Sequence, residues 1–265
     1  MVNGKFQLDL SKRFPTLPRA PIVEAVLQWQ AAATVEWDET TLRDKLTASF
    51  AQYEIAPQHN IETALTGSAK GLELKHSTTW EGFRLTKKEE GKPAFVCQFK
   101  QNGIVVSRLA PYKKWEQFEP EALRFWQTFV EIAEPVEIAR LSTRFISQVS
   151  IDSMSEVGDY IDGAPEPPLA IGVSVNSFFH QDALNLEGLA YDVKLVRAVQ
   201  PRQEGPRQEG SSPRSLIVDI DVGTTDSIAE FSELPQRLRE LRFIKNEVFF
   251  ALMKDAEAKF GGPTS

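Results

Sequence analysis

Two aspartates in the last quarter of the chain have the type and spacing of a divalent metal site. Asp219 and Asp221 alternate within residues 216–222, so in a strand both carboxylates would point to one face, about 7 Å apart. Such a pair could hold Mg²⁺ or Mn²⁺, as in a metal-dependent enzyme that acts on phosphoesters. No third ligand lies nearby in the sequence, and the alternate positions are all apolar. An amphipathic strand with a solvated polar side is the favoured interpretation.

Two arginines form the second candidate. Arg140 and Arg144 share the polar side of a strand-like segment, and planar guanidinium groups suit carboxylate or phosphate recognition. If they face Asp219 and Asp221 across a sheet, the four charges are expected to pair with one another. If they do not, this face is a candidate anion site for a small ligand or for nucleic acid.

Other residues with chemical potential are few. Glu24 lies among apolar neighbours, where a carboxyl group can have a raised pKa, and it is a candidate ligand-binding residue; a hydrogen-bonded structural role is favoured. His59, His76 and His180 have no metal-ligand spacing among themselves or with Cys97. The strand-like surroundings of Cys97 predict a buried thiol.

Nucleophile and cofactor motifs are absent from the sequence. There is no phosphate-binding loop, no Gly-X-Ser-X-Gly elbow and no Gly-X-Gly-X-X-Gly dinucleotide fingerprint. The expectation is therefore a protein without a catalytic residue, without a cofactor and without enzymatic activity, although absent motifs do not settle that question.

Composition bounds the class of protein. The chain has 265 residues, of which 42% are hydrophobic and 25% charged, as in globular proteins. A net charge of -7 argues against coating nucleic acid by bulk electrostatics, but it leaves room for a local basic patch. A single cysteine favours a reducing cytoplasm. The N-terminus lacks the apolar core of a signal peptide, and no apolar run approaches the roughly 20 residues that cross a bilayer.

A long half-buried strand is predicted over 137–151, in the middle of the chain. Its apolar row would pack on a core, and its other row, which carries Arg140 and Arg144, is mostly polar. The predicted core row is Leu141, Thr143, Phe145, Ser147, Val149 and Ile151. Glu134-Pro135 precedes this strand and is a natural boundary between two halves.

The first half shows strand and helix signals in turn. A strand is predicted over 21–30, and Asp38 is a plausible N-cap for the helix that follows. Antiparallel strands are predicted over 72–109, with a tight hairpin turn at Asn102-Gly103. A helix is predicted from Pro120 to about Ala133.

The second half repeats that order. Strands are predicted at 169–179, 186–197 and 214–223, and a long helix from Ser232 to Gly261 closes the chain. An exact tandem repeat, Pro-Arg-Gln-Glu-Gly at 201–210, indicates a flexible loop over about 200–213.

Three stretches of the chain resemble a known family. Ala-Pro-Ile-Val-Glu-Ala-Val at 20–26, the region from Pro111-Tyr112 through Trp126 into the 140–151 strand, and the C-terminal Leu-Pro-Gln-Arg-Leu helix are similar to a sporadically distributed prokaryotic family without an assigned function. The resemblance spans most of the chain, but its motifs are short. It implies a two-part α+β protein and brings no catalytic residue with it.

These observations predict an α+β protein with antiparallel sheets in two halves, 1–134 and 135–265, tightly joined and related by a hypothetical duplication. Each half would pack against helices, with the long helix at the C-terminus. The leading function hypothesis is a cytoplasmic, non-enzymatic interaction or ligand-recognition protein with a protein partner or as a homo-oligomer, accessory to mobile or defence loci. A metal-dependent phosphoester enzyme and a nucleic-acid-binding protein are the alternatives, and no membrane partner is expected.

Overall fold

The computed structural model describes residues 5–68, 71–166, 172–201 and 214–262, and for residues 61–68 and 71–78 it describes the backbone alone. The described residues form nine strands and five helices. The strands are β1 Ile22–Gln30, β2 Glu54–Ser68, β3 Gly71–Glu89, β4 Lys92–Lys100, β5 Gly103–Leu109, β6 Arg140–Ile151, β7 Phe178–Asn185, β8 Tyr191–Pro201 and β9 Arg214–Thr224. The helices are α1 Glu39–Ser49, α2 Trp115–Ala133, α3 Val157–Tyr160, α4 Leu234–Leu252 and α5 Ala256–Phe260.

The nine strands form one antiparallel sheet in the order β2-β3-β4-β5-β1-β6-β9-β8-β7. Strands from both predicted halves therefore belong to the same sheet and meet where β1 pairs with β6. On each side of this junction the first strand of the half lies at the centre and pairs with the last strand of the half, β5 or β9. The α+β class and the antiparallel pairing are as the sequence predicts.

One face of the sheet carries the core. The predicted core row of β6 is fully buried, from Leu141 to Ile151, because α2 and α4 pack over it and its neighbours. Trp29 of β1 stacks on Trp126 of α2, with ring centroids 5.7 Å apart. We call the opposite side, which carries Glu24, Arg144 and Asp219, the open face.

The two long helices are tied to the sheet by buried polar contacts. Tyr191 of β8 donates a hydrogen bond to Glu240 of α4, and Gln236 donates to the other oxygen of the same carboxylate at 2.9 Å. Tyr53, just before β2, donates to Glu121 of α2 at 2.5 Å. Each tyrosine hydroxyl thus fixes the position of one helix relative to the sheet.

Several predicted boundaries need correction. The hairpin between β4 and β5 is present, but Lys100 pairs with Gly103, so its turn is formed by Gln101 and Asn102, one residue earlier than predicted. Helix α2 begins at Trp115 and contains Pro120 in its interior.

The C-terminal helix is also shorter than predicted. Helix α4 ends at Leu252, after which Met253 forms an isolated bridge with Ile161 and Asp255 adopts a left-handed backbone conformation. A separate short helix, α5, then runs to Phe260. A lone β-bridge and a left-handed residue are local events that helical periodicity does not reveal.

Strand positions in the second half are shifted. The segment 172–177 is not a strand, and β7 begins at Phe178. The first half has a further strand, β2, which lies before the strand region predicted over 72–109. The tandem repeat at 201–210 lies almost wholly in 202–213, outside the described residues. Within the described part of the chain, no helix is long and apolar enough to cross a membrane.

Candidate functional site

On the open face, Arg144 forms a two-point ion pair with Asp219. Its Nε lies 2.8 Å from Oδ1 and its Nη2 lies 2.6 Å from Oδ2. The register places Arg144 opposite Asp221, so the pair runs diagonally between β6 and β9. The hydrogen bond to Asp219 raises the pKa of Arg144. This is the arrangement that the ion-pair interpretation predicted for Arg144.

Arg140 has a different partner, which the sequence did not single out. Its two terminal nitrogens bind the Asp192 carboxylate of β8 at 2.8 and 3.1 Å, and one of them also donates to the Thr224 carbonyl at 3.0 Å. The guanidinium lies over Gly223, where a Cβ atom would stand 2.1 Å from it. The Asp192 bond raises the pKa of Arg140.

Asp221 and Glu24 stand beside these pairs. The Oδ1 atom of Asp221 is buried and has no hydrogen-bond partner among the described residues. Burial raises the pKa of Asp221, although the charges of Arg140 and Arg144 oppose the rise. Glu24 is partly buried on β1, and its charge adds to the field that raises the pKa of Arg144. The predicted arginines and acids are therefore neighbours, but of the predicted set only Arg144 and Asp219 form an ion pair with each other.

The structure brings no metal-ligand set together in the part that it describes: no group of three His, Cys, Asp or Glu side chains is placed to hold an ion. His59 and His180 are exposed. Cys97 is buried, as predicted, and burial raises the pKa of its thiol. The side chain of His76 lies outside the description.

A cavity of about 220 Å³ lies instead on the core side of the sheet, where the two halves meet. Its floor is formed by Phe145 and Ser147 of β6 and Ile220 of β9. One wall is the middle of α4, with Phe249, and the other is the start of α2, with Trp115. We call it the inner cavity.

The remaining walls come from two irregular segments. Tyr112, Lys113 and Lys114 lead from β5 into α2, and Tyr112 packs edge-on against Phe145 with ring centroids 5.5 Å apart. The N-terminal segment 14–22 covers the cavity, and its Phe14 stacks on Phe250 of α4 at 5.5 Å. Aromatic rings thus enclose most of the inner cavity.

Lys245 of α4 reaches into this apolar enclosure. Its Nζ lies 4.2 Å from the ring centroid of Phe145 and donates a hydrogen bond to the side-chain oxygen of Asn246. No carboxylate of the described residues forms an ion pair with it. Burial, together with the nearby charge of Arg242, lowers the pKa of Lys245 to about 7.

A second cavity of about 420 Å³ adjoins the first, with Phe14, Glu116, Arg242 and Asn246 lining both. We call it the outer cavity, and the two together the α4 cleft. The cationic side chains that line the outer cavity are Lys12, Arg13, Arg239 and Arg242. Glu116 is its single carboxylate and is held by Arg242 at 2.7 Å. Lys12 pairs with Glu247, so Arg13 and Arg239 are the lining cations that form no ion pair with a described carboxylate.

Sequence reasoning missed the α4 cleft. Lys245 stands one helical turn after Leu241 and one before Phe249, both of which are buried, so a lysine interrupts an apolar row of the helix. That interruption is the signal that could have found it. The other lining residues come from segments far apart in the sequence, and no spacing rule connects them.

Comparisons with known proteins add no assignment to this geometry. The chain matches no family model, no curated protein and no solved structure. The resemblance to a sporadic prokaryotic family therefore remains a prediction from its three short motifs.

Proposed function

We propose that the protein is a ligand-recognition protein that binds a small organic acid in the α4 cleft. The observation that supports this most directly is Lys245, an amine without a carboxylate partner against an apolar cavity floor. Placing a charged group there costs stability unless something compensates for it. A bound acid would supply the missing counter-charge.

The lining defines the chemistry of such a ligand. Its apolar or aromatic body would lie against Trp115, Phe145 and Phe249 in the inner cavity. Its carboxylate would lie toward Arg239 and Lys245, because cationic side chains dominate the outer cavity and the opening between the outer and inner cavities. The inner cavity is smaller than a typical small-molecule site and the outer cavity is at the low end of the usual range, so a small acid fits better than a dinucleotide.

The alternatives from the sequence have less support. A phosphoester enzyme would need Asp219 as a metal ligand, and Arg144 holds that carboxylate. The nucleic-acid hypothesis relied on Arg140 and Arg144, and both of these arginines have acidic partners. A protein partner or homo-oligomer, a cytoplasmic location and a link to mobile or defence loci remain predictions.

We also infer that the two halves are related by an internal duplication. In each half a first strand is followed by a helix, a meander and a final helix, and the last strand returns to pair with the first. The antiparallel pairing of β1 with β6 is compatible with an approximate two-fold axis between them. Under this arrangement the α4 cleft lies where the halves meet, a common place for a ligand site.

The binding proposal can be tested with a matched pair of ligands. We expect 1-naphthoate to bind the full chain in a calorimetric titration, and 1-naphthalenemethanol, which has a similar shape but no charge, to bind about tenfold more weakly. Added salt should weaken the binding of naphthoate and leave that of the alcohol unchanged.

Variants locate the site. Arg239→Ala and Lys245→Met should each weaken naphthoate binding about tenfold, because each removes a charge from the cleft. Arg84→Ala is the control, since Arg84 is an exposed arginine on the open face, across the sheet from the cleft. Equal losses in all three variants, or no binding by the parent protein at millimolar naphthoate, would contradict the proposal.

A further inference from the structure

We propose that Lys245 is a nucleophilic amine that forms an imine with a carboxylic acid that also carries an aldehyde or a ketone group and is held in the α4 cleft. This inference rests on the proposed function and adds a covalent step to it. The geometry that carries it is an amine held between Phe145 and Asn246 at the wall of a cavity large enough for a small carbonyl compound.

The groups around Lys245 favour an uncharged amine. Arg242, on the same helix, adds a repulsive positive charge, and Lys113 and Lys114 face the cavity from the segment before α2. Glu116 is the acidic lining residue, and Arg242 neutralises it. The N-terminal segment and the sheet contribute no ionisable side chain to the lining. Desolvation and a neighbouring cation are the two conditions that activate a lysine as a nucleophile.

The protonation state follows from this environment. With its pKa lowered to about 7, a large share of Lys245 is neutral at neutral pH, whereas an ordinary lysine is almost wholly protonated. The nitrogen lone pair is then available without a separate base. Tyr112 faces the same cavity, and burial raises its pKa, so its phenol stays protonated and can act as a proton donor.

The step balances without an oxidant or a metal. The Nζ lone pair attacks the carbonyl carbon, the new C–N bond forms, and the carbonyl oxygen takes up a proton to give a carbinolamine. The nitrogen then loses a proton, the hydroxyl group takes up a proton, and the nitrogen lone pair expels it as water to give a protonated C=N bond. Loss of the remaining proton on nitrogen leaves the neutral imine. The amine thus loses two hydrogens, the carbonyl compound loses its oxygen, and one water is released.

A charged carbonyl compound is the class of ligand that fits. Its ring or chain would lie in the inner cavity, with the carbonyl carbon toward Nζ. Its carboxylate would lie toward Arg239 and Arg13, which form no ion pair with any described carboxylate. This two-point placement would distinguish an aldehyde or keto acid from a neutral aldehyde.

The test is reductive trapping of the intact protein. We expect 4-carboxybenzaldehyde with cyanoborohydride at neutral pH to add one group per chain, with peptide mapping placing it on Lys245 about tenfold or more faster than on any other lysine. Labelling of Lys245 should have its midpoint near pH 7 and level off about one pH unit higher, whereas labelling of surface lysines keeps rising towards about pH 10. Benzoate, which lacks the aldehyde, should slow the labelling by competition.

Three variants separate the outcomes. Lys245→Arg keeps the positive charge but should abolish the selective adduct. Lys245→Met removes the charge and should abolish the adduct as well. Lys92→Met changes an exposed lysine at the start of β4 and should leave the adduct intact. If naphthoate binds in the cleft but Lys245 is labelled no faster than surface lysines, the imine inference is wrong and the binding proposal stands. If neither occurs, both are wrong.

Discussion

Lys245 occupies a position where an apolar side chain would be more stable. A partly buried amine loses much of its hydration, and neither its contact with the Phe145 ring nor its hydrogen bond to Asn246 replaces a full ion pair. Residues that are suboptimal for stability often mark sites where function has set the choice. The cost therefore supports a role for this lysine in the cleft.

We predict that Lys245→Met stabilises the protein at pH 7 by roughly 1–3 kcal/mol, because an apolar side chain of similar length replaces a desolvated charge. The unfolded chain holds the lysine proton up to its ordinary pKa of 10.5, whereas the folded protein releases it near pH 7. The parent protein should therefore gain stability as the pH rises between these two values. Urea unfolding at about pH 6 and about pH 9 measures this dependence.

The gain from Lys245→Met should be largest below pH 7 and should shrink steadily above it. Lys92→Met is the matched control and should show no such pH dependence, because Lys92 is exposed. If Lys245→Met is less stable than the parent protein at pH 6, the positive charge of Lys245 is well compensated by its surroundings in the folded state, and the prediction is wrong.

Single residues were partly predictable from the sequence. Strand alternation correctly placed Arg144 and Asp219 on one face, because side-chain direction has a period of two. It could not reveal that Arg140 binds Asp192, since that contact depends on β8 lying beside β9. Strand alternation could not reveal the cleft either, because Lys245, Tyr112 and Phe14 line one cavity only in the folded chain.

At the scale of elements, the hairpin of β4 and β5 depends on a glycine at its base. Gly103 has a φ of +133°, and a Cβ atom there would stand 2.0 Å from the carbonyl oxygen of Trp29. The glycine lets β1 approach the hairpin closely, which helps to place Trp29 against Trp126. Both backbone freedom and space are needed at this position.

We expect Gly103→Ala to destabilise the protein by about 3 kcal/mol, since strain in φ and a clash with a backbone oxygen add together. Gly91→Ala is the matched control: Gly91 has a φ of +77°, but a Cβ atom there would meet nothing within 4 Å. The control should cost only about 1 kcal/mol, from backbone strain alone. Chemical denaturation of both variants measures the difference, and equal losses would remove the clash as an explanation.

Elements were predictable where local chemistry decides them. The Asp38 cap of α1 and the central strand β6 follow from side-chain type and alternation. The start of α2 was missed because Pro120 was taken as its first turn, whereas the helix accommodates this proline in its interior. The end of α4 was missed because Met253 leaves the helix to pair with Ile161, a contact distant in sequence.

At the scale of the whole molecule, the two halves share one sheet and one cleft. The inner cavity takes its floor and one wall from the second half, and the rest of its lining from Tyr112, Trp115 and the N-terminal segment. Neither half alone holds a complete site. The sequence could suggest two halves from element order, but the shared sheet depends on strand pairing that periodicity does not encode.

We predict that fragments 1–134 and 135–265, expressed together, associate into a complex that binds naphthoate. The β1–β6 pairing and the apolar surface beside it would otherwise be exposed. Under the duplication hypothesis, fragment 1–134 alone should form a homodimer through β1, because a two-fold partner presents an equivalent edge. Light scattering after size-exclusion chromatography measures the mass of the co-expressed complex and the mass of fragment 1–134 alone.

A stable monomer of fragment 1–134 would contradict the duplication hypothesis, since it would show that the β1 edge needs no partner. Co-expressed fragments that fail to associate would contradict the single-sheet architecture. Full-length protein is the control for naphthoate binding, and neither fragment alone should bind it.

Under the duplication hypothesis, Trp126 of the stacked pair Trp29–Trp126 corresponds in position to Lys245 of the cleft. Trp126 stands eleven residues after the first residue of α2, and Lys245 stands eleven residues after the first residue of α4, in helices of equal length. In the first half the site is filled by two indole rings, with Phe231 packed edge-on against Trp126 at 5.6 Å. In the second half a lysine and an open space stand there. If the halves arose by duplication, one copy keeps a packed aromatic interior at this position, whereas the other has a lysine beside a cavity.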